Sequence, residues 1–186
     1  MLESSRSIAV TSDSHSVLKA AVGNATVSAP KRATDGVVLS GGDDQVSIQL
    51  PNASQDTAAQ TIANGVVTYG GTNGFANVVQ TTDNGVRMLI FINSPDAPTT
   101  YDYKISVPQG GTVELTSDGG AAVRNAKRAV IAMVAAPWTA DATGKVIRTS
   151  FTTDGQTLTQ HIAHNVPGVV YPVIAGPWLS WGGISM

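Results

Sequence analysis

The segment Asn84-Gly-Val-Arg-Met-Leu-Ile-Phe-Ile-Asn-Ser-Pro-Asp-Ala-Pro-Thr-Thr-Tyr-Asp-Tyr-Lys-Ile-Ser-Val-Pro-Gln-Gly-Gly-Thr-Val-Glu-Leu115 gives the clearest indication of the fold. Its three short runs are rich in β-branched and aromatic residues, and turn-forming residues separate them, which is typical of successive strands. The run Leu89–Ile92 is apolar throughout, which predicts a strand covered on both faces. From Tyr101 to Val107 every second residue is apolar, which predicts a strand with one buried face and one wet face.

Glycine-containing turn signals continue this pattern on both sides of the segment. An Asn-Gly or Asp-Gly dipeptide supplies the positive φ that a tight hairpin turn needs. Such dipeptides begin at Asp35, Asn64, Asn73, Asn84, Asp118 and Asp154. So many hairpin signals predict an all-β chain, folded as an antiparallel β-sandwich or a jelly roll.

The first 35 residues do not show the strand pattern clearly. Residues Ser14–Val22 have the spacing of a short helix, with Ser14 as its cap and Gly23 at its end, but an extended arm fits the same residues. We therefore divide the chain into an N-terminal arm (residues 1–35), a β-sandwich domain (residues 36–175) and an apolar, tryptophan-containing tail (residues 176–186).

The composition limits the classes of partner. Charged residues make up 13% of the chain, against ~25% in typical soluble domains. The net charge is −2 and the basic residues are scattered, whereas a nucleic-acid partner requires a concentrated basic surface, so we expect no nucleic acid. The chain has no cysteine and no apolar run of the ~20 residues that span a bilayer. Residues 1–10 lack the features of a signal peptide, so export would require a targeting segment removed before Met1.

Candidate catalytic and metal-binding residues are few. His161 and His164 lie three residues apart in a predicted strand, where an odd spacing places two partly exposed side chains on opposite faces. The turns at Asp43 and Asp141 offer fewer than the six to eight oxygen ligands that calcium needs, and Trp138 is expected to hold the Asp141 loop in place. Glu114 is predicted to face solvent, and there is no Gly-x-Ser-x-Gly motif. We predict no catalytic residue, no metal and no cofactor, which favours a protein without enzymatic activity.

The tryptophans are concentrated towards the C-terminus. All three lie at or beyond residue 138, and two fall within the last nine residues. Two interpretations stay open: the tail, including Ile184, folds back to close the core, or it forms an exposed apolar contact for a partner or a membrane surface. The residues predicted to bind are Trp138, Tyr171, Trp178, Leu179 and Trp181.

Three pieces of the chain, Ala136-Pro-Trp-Thr-Ala-Asp-Ala-Thr-Gly-Lys145, Asp154-Gly-Gln-Thr-Leu-Thr-Gln160 and Val170-Tyr-Pro-Val-Ile-Ala-Gly-Pro-Trp178, resemble a group of uncharacterised exported actinobacterial β-rich proteins. That group has a PWA-DA-G loop and a C-terminal YPV-ADP-W segment, and the resemblance covers about residues 36–181. Gly176 stands where the group has Asp. The resemblance implies a β-rich fold and an extracellular or cell-surface location, and some members look like bacteriocins or toxin carriers.

Three functional hypotheses follow. The first is a non-catalytic secreted or cell-surface module that binds a protein or another envelope component through a sheet edge and the tail. The second is a secreted antibacterial protein whose apolar C-terminus acts on membranes, or a toxin carrier. The third is a carbohydrate-binding or hydrolytic jelly roll, which would show a cleft lined by two carboxylates or by Trp138 with a tyrosine.

Overall fold

The computed structural model describes residues 10–55, 58–71 and 73–182, which form eighteen strands. The first nine strands are β1 (Val10–Thr11), β2 (Ser16–Val22), β3 (Ala25–Pro30), β4 (Val37–Gly41), β5 (Asp44–Gln49), β6 (Gln60–Ala63), β7 (Val66–Gly70), β8 (Phe75–Thr82) and β9 (Gly85–Ile92). The others are β10 (Thr100–Ser106), β11 (Thr112–Leu115), β12 (Ala121–Arg124), β13 (Val130–Val134), β14 (Trp138–Ala140), β15 (Thr149–Thr153), β16 (Thr157–Ile162), β17 (Val173–Gly176) and β18 (Trp178–Trp181).

The strands form two antiparallel sheets packed face to face, which confirms the prediction of an all-β sandwich. The eight-stranded sheet has the order β1-β2-β3-β4-β5-β10-β16-β15. The ten-stranded sheet has the order β11-β12-β13-β18-β9-β8-β7-β6, with β17 also paired to β9 and β14 paired to β17. The described residues contain two helical turns of three residues each, Ala33–Asp35 and Ala53–Gln55, and neither is long enough to cross a membrane.

The alternation of apolar and polar residues predicted from the sequence determines which side chains form the core. In β10 the side chains of Tyr101, Tyr103 and Ile105 are buried, and the polar residues between them are exposed. In β9 the inward side chains join the central core, while Leu89 and Phe91 pack on the outer face against Val66, Val78 and Ile174. Both faces of β9 are therefore covered, as its apolar run predicts.

The prediction of a helix over Ser14–Val22 is wrong. These residues form β2, which pairs with β1 and β3, and its buried positions alternate through Leu18, Ala20 and Val22. The apolar residues of this short run are compatible with the period of a strand and with that of a helix. The hairpin through Gly23 (φ 60°) brings β3 alongside as a pairing partner, which favours the strand. Residues 16–30 are thus strands of the eight-stranded sheet.

The last described residues also include a strand. β18 lies between β13 and β9, so the segment predicted as a tail contributes a central strand up to Trp181. Ile184 lies outside the described residues. The glycines of the Asn-Gly and Asp-Gly dipeptides adopt positive φ as predicted, with the exception of Gly85. Gly85 instead opens β9 where a Cβ atom would collide with the carbonyl oxygen of Leu179.

Candidate functional site

Alternate residues of β18 point to opposite faces of the ten-stranded sheet. Trp178 lies on the outer face and is 40% exposed, whereas Leu179 is fully buried. Trp181 is part-buried and packs against the central core. Leu179 and Trp181 therefore close the core, as the first interpretation of the tail predicts, whereas Trp178 is exposed and its contact with a partner or a membrane stays a prediction.

Trp138 lies beside Trp178 on the same outer face. It begins β14 and is 53% exposed, and its register partner across the ladder is Gly176 of β17. The two tryptophans line a cleft of about 320 Å³. The other residues that line this cleft are Arg87, Leu89, Ala135, Ala136, Gly176 and Pro177. We call it the tryptophan cleft.

The cleft lies where strand pairing is interrupted twice at the same height in the ten-stranded sheet, once between β17 and β18 and once between β13 and β14. β17 and β18 follow one another along the same edge of β9, with Ala175 opposite Ile90 and Trp178 opposite Arg87. Pro177 separates them, because proline has no N–H for the ladder, although its carbonyl oxygen accepts a hydrogen bond from Met88 N (3.0 Å). On the other side, residues 135–137 separate β13 from β14. The outer surface is therefore recessed between the two tryptophans.

The backbone geometry at this break requires glycine at position 176. Its φ is 139°, a value that side-chain-bearing residues rarely adopt, and a Cβ atom there would collide with the carbonyl oxygen of Met88. The Asp that the resemblance places at this position does not fit the observed geometry.

Arg87 supplies the positive charge at the cleft. Its guanidinium carbon lies 4.3 Å from the ring centroid of Trp178, in a cation–π contact. The ion pairs among the described residues are formed by Lys19, Arg32, Arg124 and Arg128 with nearby carboxylates. Arg87 takes part in none of them, so its charge is free to face a ligand.

The tryptophan cleft offers hydrogen-bond donors and no side-chain acceptor. Arg87 and the two indoles carry N–H groups, and the remaining lining side chains are apolar or absent. Within the described part of the chain, neither indole N–H donates a hydrogen bond. A complementary ligand therefore carries acceptor atoms beside an apolar surface.

Tyr171 lies outside the cleft and packs against the core. Its hydroxyl donates to the carbonyl oxygen of His164 (2.9 Å) and lies 3.0 Å from His164 Nδ1, and burial raises the pKa of the hydroxyl. The other ring nitrogen of His164 lies 2.9 Å from the carbonyl oxygen of Pro98. The prediction that His164 is a partly exposed strand residue is wrong, because it lies beyond β16 and is fully buried.

Asp141 is a structural carboxylate that the sequence did not single out for this role. Its Oδ1 accepts hydrogen bonds from Thr143 Oγ1 (2.6 Å), Thr143 N (2.9 Å) and Lys145 N (3.1 Å), and its Oδ2 accepts one from Val170 N (3.2 Å). These bonds, led by that from the Thr143 hydroxyl, lower the pKa of Asp141 to about 2. The loop after β14 is therefore held by Asp141, not by the exposed Trp138. The signal in the sequence was Asp141-Ala-Thr-Gly, a composition typical of side-chain-stabilised turns.

The other acidic candidates also have protein partners. Asp44 Oδ1 accepts a hydrogen bond from Asn125 Nδ2 at 3.0 Å. Glu114 forms ion pairs with Arg128 and Arg124, and hydrogen bonds from these two residues lower its pKa. Within the residues that the structure describes, no group of three or more His, Cys, Asp or Glu side chains is arranged to hold a metal ion.

Comparison of the chain with family models, with curated proteins and with solved structures gave no match. The resemblance to exported actinobacterial proteins therefore stays a prediction, and the function must be argued from the site. The structure brings together Trp138 and Trp178 of the five residues predicted to bind, adds Arg87 to them, and places Tyr171, Leu179 and Trp181 elsewhere.

Proposed function

We propose that this protein is a non-catalytic binding module of the bacterial cell surface and that the tryptophan cleft is its ligand-binding site. The observation that carries the proposal is the pair of exposed indoles around one apolar recess. Water solvates such surfaces poorly, and exposed aromatic clusters with a few polar groups are typical of interaction sites. The cleft volume of about 320 Å³ falls at the lower end of the ~300–1,000 Å³ range of ligand pockets.

The side chains of the cleft favour binding over catalysis. Acid–base or nucleophilic chemistry needs a carboxylate, imidazole, hydroxyl or thiol near the reacting atoms. None of the cleft-lining side chains carries such a group, and Arg87 is the only one that is charged. A glycosidase would need two carboxylates across the cleft, so the hydrolytic version of the jelly-roll hypothesis has no support at this site.

A cell-surface location accords with the neutral, polar surface and with the resemblance to exported proteins. Charged residues are only 13% of the chain, and the outward positions of β10 and β16 are polar with balanced charge: Thr100, Asp102, Lys104 and Ser106 in β10, and Thr157, Thr159 and His161 in β16. The partner that we propose is a protein or another component of the cell envelope. The outermost strands, β1 and β15 in one sheet and β6 and β11 in the other, are the places where strand addition would provide a second contact.

The test is co-sedimentation of the purified protein with actinobacterial cell-envelope fragments that retain protein and glycan. Trp138→Ala combined with Trp178→Ala should lower the affinity by roughly tenfold or more, since truncated aromatic hot spots cost about 2 kcal/mol or more. The matched control is Val146→Ala with Val166→Ala, which removes two exposed apolar side chains outside the cleft and outside the edge strands and should leave binding unchanged. Equal binding by the wild type and the tryptophan variant would reject the proposal.

A membrane-active function is the second candidate, because tryptophan and arginine side chains together also suit a lipid–water interface. Release of a dye from vesicles of anionic lipid, together with growth inhibition of bacteria, is its signature. Leakage that disappears in the Trp138→Ala, Trp178→Ala variant would favour this candidate over the binding module. Intact vesicles and unaffected growth would remove it.

A further inference from the structure

We infer that the ligand of the tryptophan cleft is a proline-rich peptide segment in the extended left-handed polyproline conformation, with an acidic residue beside the prolines. This inference rests on the proposed binding function of the cleft and adds the chemical class of its ligand. Three properties of the cleft lead to it: its hydrogen-bonding groups, its shape and its charge.

The hydrogen-bond donors of the cleft match a ligand backbone that accepts hydrogen bonds and donates none. Trp138 and Trp178 each present one indole N–H, and Arg87 presents its guanidinium N–H groups. A run of prolines exposes carbonyl oxygens and has no backbone N–H, so it leaves no donor without a partner. A neutral saccharide carries many hydroxyl donors, and these would meet no side-chain acceptor in the cleft.

The shape of the cleft suits a narrow apolar ridge. Its walls are indoles, and its floor is built from small or compact residues: Leu89, Ala135, Ala136, Gly176 and Pro177. A volume of about 320 Å³ admits a few side-chain rings and not a folded domain. Proline rings packed between aromatic side chains bury apolar area, and the polyproline segment is already extended before binding, so little conformational entropy is lost.

The positive charge of the cleft indicates that the ligand also carries an acidic residue. Arg87 lies against Trp178 and forms no ion pair with the described residues of its own chain. No carboxylate lines the cleft, so a ligand carboxylate meets an unopposed guanidinium with the fork geometry that favours paired hydrogen bonds.

The experiment is isothermal titration calorimetry of the full chain with four probes. The first is an acetylated, amidated peptide of eight prolines followed by Asp, and the second has Asn in place of Asp. The third is a Gly-Ser peptide of the same length that ends in Asp, and the fourth is a neutral chitin oligosaccharide. We expect the first peptide to bind severalfold more tightly than the second, and the third and fourth to show no binding.

Variants then assign the contacts. Trp138→Ala or Trp178→Ala should lower the affinity for the first peptide roughly tenfold or more. Arg87→Gln should remove the difference in affinity between the Asp and Asn peptides. The Val146→Ala, Val166→Ala control should bind as the wild type does, and circular dichroism checks that every variant keeps its sheets.

The outcomes separate this inference from the proposed function. Tryptophan-dependent binding of the oligosaccharide without binding of the proline peptide overturns the inference and keeps the binding module. Equal binding of the proline and Gly-Ser peptides also overturns it, because the ligand would then be recognised by its carboxylate alone. Envelope binding that does not depend on the tryptophans removes the proposed function, and the inference with it.

Discussion

At the scale of single residues, Asp141 shows how a carboxylate can organise a loop. The loop after β14 turns back on itself, and several of its backbone N–H groups point towards one side chain. The carboxylate of Asp141 accepts hydrogen bonds from the backbone N–H groups of Thr143, Lys145 and Val170. The bond from Val170 connects the loop to the segment that leads into β17. The loop thereby holds the strand that carries Trp138 in register with β17.

This bonding predicts a pH dependence of stability. The pKa of Asp141 is about 2 in the folded state and ~3.9 in an unfolded chain, so its ionised form stabilises the fold fully above pH ~4. That stabilisation is lost as the pH falls from ~4 towards 2, where the folded-state carboxylate becomes protonated. Asp141→Asn should therefore unfold at a lower temperature than the wild type at pH 7, and the gap should narrow between pH 4 and pH 2.

Thermal unfolding followed by circular dichroism measures both quantities. Other carboxylates with lowered pKa, such as those of Asp13 and Glu114, contribute acid sensitivity to both proteins, so the difference between wild type and variant isolates Asp141. Asp43→Asn is the control at an exposed turn. A gap that stays constant down to pH 2 would contradict the role assigned to the ionised carboxylate.

Residue types allowed part of the site to be predicted. The concentration of tryptophan near the C-terminus pointed to Trp138 and Trp178, because exposed aromatic residues are informative whatever the fold. Arg87 was missed, since it sits inside an apolar strand and only the pairing of β9 with β18 places it over the Trp178 ring. Gly176 was noted only as a departure from a motif, and its need for a residue without Cβ follows from a contact with a distant strand.

At the scale of elements, β18 assigns opposite roles to adjacent residues. Leu179 is fully buried, and Leu179→Ala should cost about 2–5 kcal/mol in the free energy of unfolding. Trp178→Ala removes a surface side chain and a cation–π contact, which predicts a loss of about 1 kcal/mol or less. Urea unfolding of the two variants measures the contrast, and similar losses would mean that Trp178 also supports the core.

Short elements also mark where sequence-based prediction fails. In β2, apolar residues fit both a helix and a strand, and the strand is favoured by pairing with β3, a contact that the local pattern of residues 14–22 does not contain. In β10, by contrast, strict alternation leaves one choice of period, and the strand is found where the pattern indicates. β16 also forms, but it ends at Ile162, two residues before His164. The strength of the period therefore separates the elements that could be predicted from those that could not.

At the scale of the whole molecule, β18 joins two parts of the ten-stranded sheet. Among the strands of the described residues, it alone lies between β13 and β9 in the order of the sheet, so β11, β12 and β13 reach the centre through it. Removing residues 177–186 should abolish cooperative unfolding, because β9 and β13 would each lose a ladder of backbone hydrogen bonds and the core would lose Leu179.

Calorimetry of the truncated chain tests this prediction. The full-length control is Trp178→Ala, which changes the same strand without removing its backbone. A truncated chain that unfolds in a sharp transition at the wild-type temperature would show that the last residues are peripheral, as the sequence-based division at residue 176 implied.

Global architecture was more accessible to sequence reasoning than boundaries were. Repeated hairpin turns and a low helix signal indicated two antiparallel sheets, since these features depend on local chemistry. The roles of residues 16–30 and 178–181 depended on pairings between segments far apart in the chain, and composition alone suggested an arm and a tail.

The alternation of β18 also gives the protein two separate optical reporters on one short strand. Trp178 and Trp138 lie in contact with solvent, whereas Trp181 is part-buried against the core. The emission of the first two indoles is open to a dissolved quencher and responds to whatever enters the recess, while that of Trp181 reports the integrity of the packed interior. Ligand occupancy and loss of folding can therefore be followed in the same sample without any added dye.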